Sequence, residues 1–396
     1  GNPVIFTNGD NDTFPLWYNQ ETEGVRTDAR VCNLSYLQTD WYIDQMRRPA
    51  YDSPSLPISW TRLQYVTGTR EGIPVQPDAL QQVIDYYKDS PEDLKQMLGD
   101  NPYELKNIIR HWVLNDNPDL QIFPTDSIVV TVDKEAVKRS GMMIAADSIP
   151  DVMHISLKGK RAVYKSEMMM LEMISQANWE RPLYMSTTVG PDNYGHLGDN
   201  FVQEGLACRI TPFDTKQSGR TIDSERMYNN MMNKFKYGGL KENPDIYLDE
   251  TVIRMCYTHR RLFNQLAQQL LKEGQKDKAL KVLQRAEEEI PGSIVPHEAF
   301  YGHSLELADA WLALGHKAEA EKLLNAVGQN AKEYIEWYLS LNTQRLLQSS
   351  RECLMQIYIL NDIAKTWEPI DKKKAETYRM EVNNYASRCH QRGMSL

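Results

Sequence analysis

The sequence predicts an N-terminal α/β domain with a mainly parallel sheet, followed by an all-α domain of antiparallel helical repeats. Three observations predict it. Short apolar runs alternate with helix-period segments over roughly the first 215 residues, the pattern of parallel strands covered by helices. Helices stopped by glycine or proline dominate from about residue 259 onward. Two of those helix pairs also share an internal frame of alanines around a turn glycine.

The first forty-five residues use one grammar twice. VIFT is an apolar run ended by NGDND, and TFPLWYNQETEG reads as a helix; ARVCNL is a second run ended by SYLQTD, and WYIDQMRR a second helix. Asp12 or Thr13 is placed to cap the first helix and Asp40 or Thr39 the second, because a side-chain oxygen there accepts from free helix N–H groups. Residues 49–79 are an irregular insertion punctuated by Pro49, Pro54, Pro57, Pro74 and Pro77, with a short strand expected around Leu63 to Val66. Helices are expected over 79–88, 91–98 and 103–114. Pro91 with Glu92 and Asp93 behind it is a helix-start signal. Strand grammar returns at SIVVTV (127–132), VMHISL (152–157), PLYMST (182–187) and, more briefly, GLACRITP (205–212). A helix from Lys165 to Ala177 carries Met168, Leu171, Met173 and Ile174 as an apolar stripe.

The α/β domain is thus expected over 1–215, a linker and packing segment over 216–258, and the repeat domain over 259–396. Ala267 and Ala308 lie seven residues before Gly274 and Gly315, and Ala279 and Ala320 lie five after them. Small residues at those places let the two helices of a hairpin approach closely. With Leu or Val recurring at helix spacing, this is a tetratricopeptide-like pattern of stacked helix–turn–helix units. The two glycine turns are offset by 41 residues, against about 34 in the regular repeat, and the extra residues sit in IPGSIVPH. Helices at roughly 331–365 and 371–391 complete or cap the stack.

Hydrophobic residues at 41% and charged residues at 25% are an ordinary globular balance. The formal charge of -9 and the isolated basic clusters (Lys158, Lys160, Arg161; Lys372, Lys373, Lys374) predict no nucleic-acid partner. The greasiest stretches, GMMIAA and MMMLEMI, are the size of buried segments rather than membrane spans. The five cysteines are scattered singly, which is neither a disulfide framework nor a zinc signature. HExxH, Gly-x-Ser-x-Gly and glycine-rich phosphate loops are absent from the sequence, so no catalytic residue is selected and no organic cofactor is expected.

Chemistry concentrates where strands end. Asp10, Asn11 and Asp12 leave the first strand and Asp40, beside Trp41, leaves the second. In a parallel α/β sheet ligands bind at such exits, where helix N-termini and loop amides converge. If the strands are neighbours, three carboxylates face one crevice. They would bind a divalent cation, with Asp10 and Asp12 as ligands, or orient sugar hydroxyls; the ordinary use of such residues is to cap helices and turns. Trp17, Tyr18, Trp41 and Tyr42 follow the same loops and either line a saccharide site or pack as core. The loop VGPDNYGHLGDN is a second candidate, in which Asn193, Tyr194 and His196 would cover a polar ligand or form a plain structural loop.

The string VIFTNGDNDTFPLWYNQETEGVRTDARVCNLSYLQTDWYI (4–43) resembles the soluble C-terminal region of a family of multi-pass membrane proteins common in Bacteroidetes, domain-of-unknown-function family number 2723, related to eukaryotic transmembrane O-mannosyltransferase-like proteins. The likeness continues in YKSEMMMLEMISQANWERPLYMSTTV (164–189), EGLACRITP (204–212) and the helices after 260. The resemblance implies a parent with a membrane glycosyltransferase-like bundle that precedes Gly1 and is missing from this sequence. Proteins of that class transfer a sugar from a lipid-phosphate donor on the extracytoplasmic side, with the catalytic groups in the membrane part. This region would then be a periplasmic accessory module, partnered by the membrane domain and by a protein docked on the helical repeats.

Overall fold

The computed structural model describes residues 1–143 and 149–394, so residues 144–148, in which the apolar GMMIAA stretch ends, lie outside the described residues. The chain divides into two compact units, Gly1–Asp223 and Ser224–Leu396.

In the first unit β1 (Val4–Thr7) leads through Gly9 into α1 (Asp10–Glu23), and β2 (Arg30–Asn33) is followed by α2 (Asp40–Met46). The insertion holds a helical turn, α3 (Arg62–Tyr65), where a strand is expected. Thr61 and Gln64 explain the difference: they form a reciprocal capping box, which satisfies two free N–H groups and closes the turn. Next come β3 (Gly72–Pro74), α4 (Ala79–Tyr86), α5 (Pro91–Leu98) and α6 (Leu105–Ile108), which widens into a π-turn through Val113. The unit continues with β4 (Ser127–Thr131), α7 (Lys134–Arg139), β5 (Val152–Ser156), β6 (Ala162–Tyr164) and α8 (Lys165–Ala177). It ends with β7 (Leu183–Ser186), β8 (Phe201–Gln203), β9 (Ala207–Ile210) and α9 (Thr215–Ser218).

The main sheet is mixed, which corrects the expectation of a mainly parallel one. Its order is β2-β1-β7-β9-β8. β1 pairs in parallel with β2 (Phe6 opposite Cys32) and with β7 (Phe6 opposite Met185), whereas β7–β9 and β9–β8 are antiparallel. SIVVTV and VMHISL pair with each other as an antiparallel ribbon outside this sheet. At β8–β9 connection length is the reason. A parallel crossover needs about a dozen residues, usually a helix. Only Glu204, Gly205 and Leu206 join β8 to β9, and Gly205 takes a φ of 139° to reverse the chain there.

α8 is buried on nearly every side: Met168, Met169, Met170, Leu171 and Met173 are at most 1% exposed. It forms one cluster with Phe6 of β1 and with Leu37, Tyr42 and Ile43. Two charged residues of α8 are sealed with it and tie down the insertion. Glu172 accepts from the Ser59 N–H (2.9 Å) and hydroxyl (2.6 Å), and the Lys165 ammonium lies 2.7 Å from Glu71. A buried charge is tolerated only when partnered in this way.

The second unit is helical throughout its regular structure: α10 (Ser224–Asn229), α11 (Glu250–Lys272), α12 (Lys276–Glu289), α13 (Ser304–Ala313), α14 (Lys317–Ser340), α15 (Thr343–Gln348), α16 (Ser350–Trp367) and α17 (Lys372–Gln391). α11–α12, α13–α14 and α16–α17 pack as hairpins. Ala267, Ala279, Ala308 and Ala320 are all fully buried in it. Arg260 of α11 fastens the loop after α12 by donating to the carbonyls of Ile290 (2.9 Å), Val295 (2.8 Å) and Pro296 (3.0 Å).

None of the five cysteines is in a disulfide. Burial pushes the Cys32 and Cys353 thiols up to about 12 and raises that of Cys389, whose Sγ lies 3.9 Å from Cys353 Sγ. Since the thiolate is the nucleophile, maleimide at pH 8 should modify the half-buried Cys208 and Cys256 first. Cys32, Cys353 and Cys389 should react only on unfolding; mass-mapped labelling of Cys32 in the native chain would contradict this packing.

Candidate functional site

β1 and β2 lie side by side with Thr7 opposite Asn33, so both chains leave the sheet at the same edge. Gly9 turns the first exit with a φ of 84°, a backbone conformation natural to glycine. α1 then starts at Asp10, which places Asp10 and Asp12 within its first turn; neither is its N-cap, a correction to the capping expectation. α2 starts at Asp40, and Thr39 caps it without a side-chain hydrogen bond.

A polar knot ties these exits together. Asn33 is fully buried. Its Nδ2 donates to the Gly9 carbonyl (3.0 Å) and to Thr13 Oγ1 (2.9 Å), and its Oδ1 accepts from the N–H groups of Ser35 (2.9 Å) and Tyr36 (3.2 Å). Thr13 Oγ1 also lies 2.7 Å from Thr7 Oγ1, and Ser35 donates to Asn8 Oδ1 (2.7 Å). Asp12 reaches the third parallel strand: its Oδ2 accepts from the Asn8 N–H (3.1 Å) and from Thr188 Oγ1 (2.8 Å), just beyond β7. The Tyr42 hydroxyl accepts from the Asn33 N–H at 2.9 Å.

The candidate carboxylates therefore have separate surroundings. Asp10 and Asn11 are exposed and make no side-chain hydrogen bond among the described residues. Asp12 is engaged by the strand ends. Asp40 faces the insertion, accepting from the Thr67 N–H (3.3 Å) with Arg62 3.7 Å away. Among the described residues no group of three or more His, Cys, Asp or Glu side chains is placed to hold a metal ion.

The second candidate lies elsewhere. Asn193 is exposed at the end of a short 3-10 turn, and Tyr194 is half-buried, its ring edge-on to Phe201 at 4.9 Å. His196 is exposed with a φ of 63° and borders a broad cleft of about 840 Å³ shared with His154, Asp199, Asp214 and Arg220. None of Asp10, Asp12 and Asp40 lines that cleft.

What the strand exits do assemble is a ladder of rings. Phe14 stacks on Trp17 (5.6 Å between centroids), Trp17 on Tyr36 (6.3 Å), and Tyr36 meets Trp41 (5.9 Å), which stands edge-on to Tyr42 (5.4 Å). Tyr42 is core, but Phe14, Tyr18 and Trp41 are 46%, 60% and 54% exposed. Tyr36 joins the ladder because Asn33 holds its N–H; the sequence signal is Asn33 itself, three residues before it and inside the run ARVCNL.

A family model described as TMEM260-associated domain 2 matches residues 1–230. The chain belongs to this family. No curated protein and no solved structure matches it. The TMEM260-associated domain 2 match takes in the whole first unit, the polar knot and the ring ladder included. The domain is associated with a membrane protein, yet no helix among the described residues is long and apolar enough to cross a membrane.

Two mutational outcomes follow from the divergent carboxylates. Asp12→Ala loses the bonds to Asn8 and Thr188 and should cost about 1–3 kcal/mol, whereas exposed Asp10→Ala should cost about 0.5 kcal/mol or less; equal urea midpoints for the two would contradict the knot. Asp40 is held below the ordinary carboxylate range, chiefly by the Thr67 N–H. Its stabilisation is therefore complete above the unfolded value of about 3.9 and disappears as pH falls through the lower folded value. Asp40→Asn should lower the midpoint at pH 6 and match the parent chain at pH 2, as measured by circular dichroism.

Proposed function

We propose that this chain is the extracytoplasmic accessory module of a multi-pass membrane glycosyltransferase-like protein of the O-mannosyltransferase-like kind. The observation that carries the reading is membership of the TMEM260-associated domain 2 family over the whole α/β unit. In this reading the module lies on the periplasmic side, held to the inner membrane by an N-terminal membrane domain that carries the catalytic groups. The α/β unit packs against that domain through its exposed strand-end rings, Phe14, Tyr18 and Trp41, and supports acceptor binding. Exposed aromatic side chains on helices α1 and α2 suit such a contact, because large rings bury much area at small entropic cost.

The helical unit takes the second role. Its hairpins and buried alanines support a tetratricopeptide-like stack, an architecture that offers an extended wall to a protein partner. Nothing in the reading assigns chemistry to the module itself, and no cofactor is proposed for it.

Photo-crosslinking in the membrane-embedded parent tests this. A photoreactive residue at position 41 should give adducts in loops of the membrane domain, and one at exposed Tyr358 of α16 should give adducts to a separate soluble protein. Adducts to the membrane domain from position 358 alone would overturn the packing proposed.

A further inference from the structure

Between α1 and α2, over β2, lies a cavity of about 320 Å³ that none of the roles above uses. It sits at the lower end of the roughly 300–1,000 Å³ range of small-molecule sites. Two of the ladder rings, Trp17 and Tyr42, form part of its wall. Its base is the buried Arg30, Val31 and Met46, and its mouth the exposed Glu21, Gln45 and Tyr51.

The polar groups there are only partly engaged. Arg30 is 5% exposed; its Nη2 donates to the carbonyls of Gln45 (2.7 Å) and Arg48 (2.8 Å), while its Nη1 is buried with no hydrogen-bond partner. An unsatisfied buried donor costs about 1–3 kcal/mol, more when charged. Gln20 donates its amide to Arg26 and Ala29, so its Oε1 remains as an acceptor, and the Gln45 amide makes no hydrogen bond among the described residues. Glu21 accepts from the Tyr51 hydroxyl at the rim.

These groups discriminate among ligand classes. A metal ion would meet one carboxylate beside a guanidinium. A simple anion would be drawn by the Arg30 charge but face Glu21. An apolar ligand would cover Gln20 Oε1 and the Gln45 amide without pairing either, which is costly. A neutral polyhydroxylated ring fits better: its apolar face lies against the wall formed by Trp17 and the exposed Tyr51 ring, and its hydroxyls accept from the Gln45 amide and donate to Gln20 Oε1 and Glu21. Beyond the cavity the ladder runs from Trp17 through Tyr36 to exposed Trp41, a platform for further sugar residues.

We propose that the α1–α2 cavity binds the terminal pyranose of a neutral oligosaccharide, with the ring ladder carrying the residues next to it. This site is distinct from Asp10, Asp12 and Asp40, and it does not depend on attachment to a membrane domain. Trp41 is open to sugar in the chain by itself, whereas the packing proposed above would cover it in the membrane-embedded parent; crosslinking and sugar binding are therefore read on separate preparations and can fail separately.

The test uses the intact chain with mannotriose, cellotriose, chitotriose and galactotriose as probes, and with acetate and phosphate as controls, read by saturation-transfer NMR and calorimetry. At least one trisaccharide should bind with millimolar or better affinity. Gln45→Ala, at an exposed position, and Trp17→Ala, with folding checked by near-UV circular dichroism, should each weaken it about 5-fold or more. Trp41→Ala should weaken the trisaccharide but leave the matching methyl pyranoside unchanged. Failure of all four probes, binding of acetate or phosphate alone, or a trisaccharide affinity untouched by Gln45→Ala and Trp17→Ala would each overturn the proposal.

Discussion

The α/β unit depends on how one buried amide settles the ends of its parallel strands. Backbone groups at a strand exit have lost their ladder partners and cannot be left buried and unpaired. Asn33 meets that demand from a fully buried position, with two donor hydrogens on Gly9 and Thr13 and one oxygen shared by two backbone N–H groups. Four bonds from one side chain fix the start of α1 and the loop before α2 together. The ring ladder follows, because Phe14 and Trp17 ride on α1 while Tyr36 and Trp41 ride on the loop and α2. Asp12 extends the same knot to β7 through Thr188, across the point where the sheet order turns from β2 on one side of β1 to β7 on the other.

The same economy explains why the carboxylates part company. Crevices at such a turning point commonly take ligands, and here a carboxylate–threonine bond occupies the edge of it. Asp40 is drawn the other way by the insertion, which is itself held to the core by buried charges of α8. Glu71 is kept below the ordinary carboxylate range chiefly by its bond to Lys165, so the ion pair that seats the insertion persists through neutral pH. The open chemistry of this face is thus aromatic and amide in character.

Much of the fold was legible in the residues. Pro91 with two acids behind it marked α5, and α8 spans Lys165–Ala177 as its methionine stripe predicts. The alanine frame of the helical unit marked four positions that are fully buried. Strand direction was not legible, because an apolar run reads the same in parallel and antiparallel ladders; only the three-residue link at Glu204-Gly205-Leu206 carried the information. Leu63 to Val66 is expected as one of the short strands between the prolines of the insertion, and the capping box of Thr61 and Gln64 overrides that expectation. At the site, the acids and aromatics of the strand exits were visible, but what each faced was set by residues far along the chain, such as Thr188 for Asp12 and Thr67 for Asp40. Arg30 gave no sign at all, since a lone arginine opening a strand says nothing of its burial.

Native-state hydrogen exchange on the parent chain and on Asn33→Ala probes the strand-end knot most directly. Loss of protection of about tenfold or more at the Ser35 and Tyr36 amides and through the first turns of α1, with α11 and α16 unchanged as internal references, is the result expected of a knot that fixes the exits. Unaltered protection at Ser35, Tyr36 and α1 in a folded Asn33→Ala chain would mean that strand pairing alone holds them, and the placement of the ring ladder would need another cause.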